Sequence, residues 1–167
     1  MQQSELYRLA QSVIDAAMSK DLLIATAESC TGGLIAGALT EIPGSSAVFD
    51  RGFVTYSNEA KTDMLDVQSE LIAAEGAVSA GVAEAMASGA IERSRANLAI
   101  SVTGIAGPGG GAPDKPIGLV WFGAATVTRT KSYKRHFANE GRNEIRSNTV
   151  AAALEDLLDL IKNSSPN

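Results

Sequence analysis

Hydroxyls, a thiol and a carboxylate crowd into eight consecutive residues, Thr26-Ala27-Glu28-Ser29-Cys30-Thr31-Gly32-Gly33, and these are the groups that carry acyl transfer in enzymes. The apolar run Leu22-Leu23-Ile24-Ala25 before them reads as a short buried strand, and Leu34 to Leu39 after them as the opening turns of a helix. The reactive side chains therefore fall at a strand-to-helix turn. There the first helical N–H groups lack backbone partners and the aligned peptide dipoles leave partial positive charge. A developing oxyanion or a bound anion can use both, and the paired glycines let a ligand approach the backbone closely.

Ser29 has two readings at this turn. It is either an N-cap for the helix that follows, with Thr31 an equal contender, or a nucleophile in acyl transfer. A nucleophilic serine needs a base. His136, the only histidine, lies among Lys134 and Arg135 in a polar stretch and is expected to be solvated, which makes a histidine-based triad a poor candidate. A neutral lysine is the other route. Reaching neutrality from a reference near 10.4 takes a drop of about three units, or about 4 kcal/mol against the charged form, which partial burial can supply. Lys61 follows Tyr56-Ser57-Asn58 at a strand's end, where site residues gather in α/β sheets; its other reading is an exposed helix lysine. Cys30 is either a thiolate nucleophile at a helix N-terminus or a small buried packing residue. Glu28 has no assigned role.

Two further stretches bear on chemistry. The glycine-rich loop from Thr103 to Lys115 contains G-x-G-x-x-A from Gly107 to Ala112, but Pro113 and Pro116 stand where a dinucleotide fingerprint requires an opening helix. It reads as a ligand-contacting loop or a plain long connection. Arg129, Lys131, Lys134, Arg135, Arg142 and Arg146 form a basic cluster in an acidic chain. On an edge strand such charges prevent edge-to-edge association. Arg142 and Arg146 lie four apart at a helix start, where arginine opposes the dipole unless an anion is present, and a phosphate would account for them.

The elements that must position these residues follow from periodicity. A first amphipathic helix, with Ser4 as its cap, carries Leu6, Leu9, Val13, Ile14 and Ala17 on one face. Strands are expected over 22–25, 47–56, 97–102, 118–128 and 130–137, the last polar and edge-like, and helices from Leu34, from Asn58, around 71–74, over 79–94 and over about 142–161. Helix and strand alternate early and strands pair late, which argues for a mixed sheet covered by helices on both faces. The 167 residues, 45% hydrophobic and 20% charged, suit one domain over residues 1–162, with residues 163–167 fraying. Aromatics make up only 5%, while the abundant alanine and glycine favour closely packed helix-on-sheet layers. The net charge of −5 argues against a nucleic-acid surface. With one cysteine, no signal peptide and no apolar run near the roughly twenty residues of a membrane span, a soluble cytoplasmic protein is expected.

Taken together, Ala27 to Gly33, Tyr56-Ser57-Asn58-Glu59-Ala60-Lys61, Thr103 to Gly110 and Gly141-Arg142 resemble the CinA C-terminal domain family of competence/damage-inducible proteins, over nearly the whole chain. The resemblance implies a single-domain three-layer α/β/α sandwich. It also implies a serine-lysine amidohydrolase that converts nicotinamide mononucleotide to nicotinate mononucleotide and ammonia. It places the nucleophile on Ser29, the base on Lys61 and a supporting hydroxyl on Tyr56. On the reading built from it, the backbone amides of Thr31, Gly32 and Gly33 are the expected oxyanion donors, and Thr103, Gly104, Ala106, Gly107 and Arg142 bind the substrate, Arg142 through its phosphate. No metal or cofactor is called for. The alternative is a non-catalytic nucleotide-binding module with a regulatory role in competence or the response to DNA damage. The expected partner is a small nucleotide, with neither nucleic acid nor membrane, and the alanine-rich helix from Ser79 is the candidate surface for a homodimer. Longer relatives carry an N-terminal pyrophosphatase domain, and that activity is not expected of this chain. Arg51 and Asp66 stand where the family often has glycine.

Overall fold

Apolar residues at three- and four-residue spacing turn one face of α1 (Gln3–Lys20) into the core, where Ala10, Val13, Ile14 and Ala17 are buried. The chain is described over residues 3–166 by a computed structural model. Ser4 does not cap α1, because the helix already includes Gln3. β1 (Ile24–Glu28) follows and is buried at every position, as a strand covered on both faces must be. Then come α2 (Leu34–Thr40), a 3-10 turn (Ser45–Ala47), β2 (Phe49–Val54), α3 (Asn58–Leu65), α4 (Ser69–Glu75) and α5 (Ala80–Glu92). β3 (Leu98–Gly104), β4 (Leu119–Thr126), β5 (Thr130–His136) and α6 (Arg142–Lys162) complete the order. The strand expected from Ala47 starts at Phe49, since the 3-10 turn entered through Gly44 (φ 85°) occupies the residues before it.

The strands form one mixed sheet in the order β2-β1-β3-β4-β5. β1 runs parallel to β2 and β3, whose connections pass through helices, while β4 and β5 pair antiparallel in sequence. Alternation along the strands divides the core. Ile24, Ile100, Val102, Val120 and Phe122 face α1, α2 and α6. Ala25, Ala27, Ala99 and Ala125 face Val82, Met86, Ala87 and Ala90 of α5. The result is the three-layer α/β/α sandwich, in one domain.

The alanine-lined face lets α5 sit almost on the strands. A Cβ added at Gly123 would lie 2.2 Å from the Ala83 carbonyl oxygen, and one at Gly89 2.1 Å from that of Leu65. Asp66 ends α3 with φ 56°, a left-handed position that aspartate tolerates better than most residues, and Arg93 pairs with its carboxylate. The tail is held further than expected: Lys20 Nζ donates to the carbonyls of Ile161, Lys162 and Ser164, and Asn163 N donates to Asp159 O. Met1, Gln2 and Asn167, parts of the expected domain and frayed tail, lie outside the described residues.

The connection leaving β1 passes through α2 on one face of the sheet to β2, and the one leaving β2 passes through α3, α4 and α5 on the other face to β3. Such a switch point opens a crevice at the carboxyl ends of the strands. Ser29 and Thr103 fall at those ends.

Candidate active site

Ser29 follows directly on β1, and its amide donates to Val102 O of β3 at 3.0 Å, so the nucleophile candidate is tied to the central strands. The parallel pairing of β1 and β2 runs one residue past β2: Thr55 N donates to Glu28 O at 2.9 Å. The chain then turns into α3, whose N-cap Ser57 accepts from Ala60 N through its side chain. That places Lys61 in the first turn of α3 with its side chain running back toward β1. It is among the largest fully buried side chains of the described residues, 1% exposed.

Lys61 Nζ lies 3.1 Å from Ser29 Oγ, 2.9 Å from Thr55 O and 3.4 Å from Ser57 O. A neutral amine has two N–H groups and one lone pair. Two carbonyls can take the N–H groups, which leaves the lone pair for the Ser29 hydroxyl. Burial lowers the Lys61 pKa from its ordinary value, against the opposing pull of Cys30 and Glu59. The Cys30 part of that pull requires a thiolate. Burial pushes the Cys30 thiol up to about 12, so at neutral pH it is uncharged, and Cys30 packs in the core at 6% exposure. A thiolate nucleophile at this position is disfavoured for that reason.

Neither Ser29 nor Thr31 caps α2. The N-cap position is Gly33 (φ 98°), without a side-chain cap of its own. The carboxylate of Glu28, fully buried, reaches across instead. Its Oε2 accepts from Thr31 Oγ1 (2.7 Å), Gly33 N (3.0 Å) and Ile35 N (3.0 Å), and its Oε1 accepts from Ala36 N (2.8 Å). This corrects the expected oxyanion donors. The Gly33 amide is taken by Glu28 and the Gly32 amide closes a turn on Ser29 O at 3.1 Å; of the three, only Thr31 N lacks a hydrogen-bond acceptor among the described residues. A buried carboxylate one residue before a serine was the available signal for the cap, but sequence does not say which way it points.

Both arginines also have acceptors within the protein. Arg146 donates from Nε to Cys30 O (3.2 Å) and from Nη2 to Thr31 O (2.9 Å). Arg142 donates from Nη1 to Gly107 O (2.7 Å) and from Nη2 to the Tyr56 hydroxyl (2.7 Å). Neutral oxygen acceptors thus engage two N–H groups of each guanidinium, which has five. Tyr56 is 60% exposed, and its recorded contact is with Arg142, not with Ser29 or Lys61.

A cleft of about 240 Å³ lies over the dyad. Ser29, Tyr56, Lys61, Thr103, Gly104, Ala106 and Arg142 line it, together with Cys30, Asn58, Ala77 and Val78. Thr31, Gly32, Gly33 and Gly107 do not, although the Gly107 carbonyl anchors Arg142. Thr103 Oγ1 donates to Ala77 O at 2.7 Å, fixing the segment before α5 as a cleft wall. Ala77 and Val78 escape sequence reasoning because they carry no reactive group. Gly104 has to be glycine, since a Cβ there would lie 2.8 Å from Leu119 O. His136, at the far strand β5, has its Nε2 3.1 Å from Ile117 O and takes no part. A larger concavity of about 700 Å³ between the β4–β5 hairpin and the end of α6 contains no buried amine beside a hydroxyl, so the chemistry favours the smaller cleft. No group of three or more His, Cys, Asp or Glu side chains able to hold a metal, and no helix long and apolar enough to cross a membrane, occurs among the described residues.

Comparison with known proteins matches residues 6–161 to the CinA C-terminal domain. The chain is 46% identical over 157 residues to the Escherichia coli K12 protein named nicotinamide-nucleotide amidohydrolase PncC, covering 94% of this chain and 95% of that one. A CinA-like protein of Chloroherpeton thalassium is 59% identical over 120 residues, which are 72% of this chain but 28% of that longer one. The crystal structure of competence/damage inducible protein CihA from Agrobacterium tumefaciens superposes with a TM-score of 0.91 at 53% identity, covering 93% of this chain and 95% of that one.

Proposed function

This chain belongs to the CinA C-terminal domain family, and we propose that it is a nicotinamide-nucleotide amidohydrolase working through a serine-lysine dyad, with nicotinamide mononucleotide as substrate. The observation that carries the reading is the buried Lys61 Nζ at 3.1 Å from Ser29 Oγ. An ion-binding module would favour a charged, solvated lysine, whereas acyl transfer needs a neutral one. The near full-length likeness to a protein named for this activity supports the same choice.

In the first half-reaction Ser29 Oγ attacks the carboxamide carbon as its proton passes to Lys61 Nζ. The tetrahedral oxyanion rests on backbone donors at the turn. Collapse breaks the carbon–nitrogen bond as Lys61 returns the proton to the departing nitrogen, releasing ammonia and leaving an ester on Ser29. Water then attacks the ester carbon and gives its proton to Lys61. The second collapse breaks the ester bond, the proton goes back to Ser29 Oγ, and nicotinate mononucleotide leaves. Arg142 and Tyr56, joined to each other at the cleft mouth, contact the nucleotide's phosphate and ribose side.

The test is incubation of purified protein with nicotinamide mononucleotide, with ammonia and nicotinate mononucleotide followed by mass spectrometry. Wild type is expected to release both in equal amounts and Ser29→Ala to release neither. Tight nucleotide binding without product would establish the module instead, and a fully active Ser29→Ala would remove the nucleophile.

A further inference from the structure

Two ionisable side chains grip the turn that carries Ser29, and they act on backbone groups of opposite polarity. From beneath, Glu28 collects donors: the Thr31 hydroxyl and the amides of Gly33, Ile35 and Ala36, all within 3.0 Å. From the side, Arg146 of α6 supplies donors to acceptors, the carbonyls of Cys30 at 3.2 Å and Thr31 at 2.9 Å. Neither side chain lines the cleft.

The geometry has a consequence for the peptides next to the nucleophile. A trans peptide is planar, so the N–H of one residue points opposite to the carbonyl of the residue before it. Holding Cys30 O and Thr31 O on Arg146 turns the amides of Thr31 and Gly32 to the other side. The Gly32 amide closes on Ser29 O at 3.1 Å, and the Thr31 amide is left facing away from Arg146 with no acceptor among the described residues. Glu28 meanwhile withdraws the first amides of α2 from service as anion donors. Gly32 (φ 61°) and Gly33 (φ 98°) supply the left-handed backbone that this path requires.

We propose that Glu28 and Arg146 are positioning residues that clamp the Ser29 turn through backbone groups of opposite polarity, keeping Ser29 Oγ within reach of Lys61. The proposal rests on Ser29 being the nucleophile. Opposite polarity is the essential feature. All four partners of Glu28 are donors, so glutamine would set its own N–H₂ against one of them, and both partners of Arg146 are acceptors, which only a cation with a forked donor set can span.

The experiment measures the rate at which a fluorophosphonate labels Ser29, together with kcat and KM for nicotinamide mononucleotide. Arg146→Ala is expected to slow labelling and kcat by about 10²-fold, the effect of misplacing a reacting group by about an ångström, while KM stays within about threefold because the cleft walls are untouched. Millimolar guanidinium is expected to restore labelling in Arg146→Ala and to leave wild type unchanged. Glu28→Gln is expected to lose labelling likewise. Labelling of both variants at the wild-type rate overturns the clamp, as does a loss that guanidinium cannot restore and that follows a lowered melting temperature. A wild type that is not labelled overturns the nucleophile reading itself. Should Arg146→Ala fail to fold, Arg146→Lys decides in its place: it retains the charge and the stem but not the fork, and labelling at the wild-type rate would then refute the clamp.

Discussion

Replacing Lys61 by methionine removes the amine and retains the length and apolar stem of a side chain that is 1% exposed. On the reading above it deletes the general base, which is worth about 10²–10⁴-fold in rate, or about 3–5 kcal/mol of transition-state stabilisation. The same substitution has a thermodynamic signature that does not depend on knowing the substrate. Burial lowers the Lys61 pKa in the folded protein, whereas in the unfolded chain it returns to about 10.4. Between those two values the unfolded state binds one more proton than the folded state, so wild-type stability rises with pH by about 1.4 kcal/mol per unit across that window and falls away as pH drops through the folded value. Lys61→Met lacks this dependence. At neutral pH the variant gains by no longer desolvating an amine and loses by stranding the Thr55 carbonyl that accepted from it at 2.9 Å, a penalty of about 1–3 kcal/mol. The sign at one pH is therefore a poor test and the slope a good one. Urea unfolding of both proteins from about pH 6 to about pH 10 is expected to show the difference shifting steadily in favour of wild type. Titrating groups that Lys61 does not act on occur in both chains and cancel. A difference that does not change with pH would refute the depressed amine, and with it the dyad.

Two further outcomes follow from the site. The Cys30 thiol, raised to about 12 by burial, should be alkylated by iodoacetamide at about pH 8 roughly 10³-fold more slowly in the native protein than in urea, from its thiolate fraction alone; rapid native labelling would contradict a desolvated thiol. Because it holds its proton longer when folded than when unfolded, it also contributes stability below about pH 8.5 that is lost as pH rises toward its folded value. Arg142→Lys cannot reach both Gly107 O and the Tyr56 hydroxyl, so KM for nicotinamide mononucleotide is expected to rise about tenfold, or about 1.4 kcal/mol, with a smaller change in kcat. Steady-state kinetics would refute this linkage if KM stayed at its wild-type value.

The amino-acid sequence by itself determined the element order and the layered class. Buried strands and amphipathic helices leave local signatures: the apolar run Leu22 to Ala25 leads into β1, which is covered on both faces, and α1 shows one apolar stripe because it is covered on one. Ser57 caps α3 and Ser79 caps α5, each through a side chain that acts within three residues. Ser29 and Lys61 were legible as candidates through their motifs, but local reasoning left each with a plain structural alternative.

Tertiary structure decided what depends on direction and distance. Thirty-two residues separate Lys61 from Ser29 in sequence, and only the parallel pairing of β1 with β2, continued to Thr55, turns the lysine back onto the serine. The cap of α2 is another such case. Serine and threonine at the turn looked sufficient, yet the buried carboxylate of Glu28 wins because it satisfies three amides and a hydroxyl at once. Arg142 and Arg146 stood out because a helix start disfavours cations. In the folded chain the carbonyls of Gly107, Cys30 and Thr31 point at them from segments more than thirty residues away, and an acceptor brought by the fold leaves no trace in the local sequence.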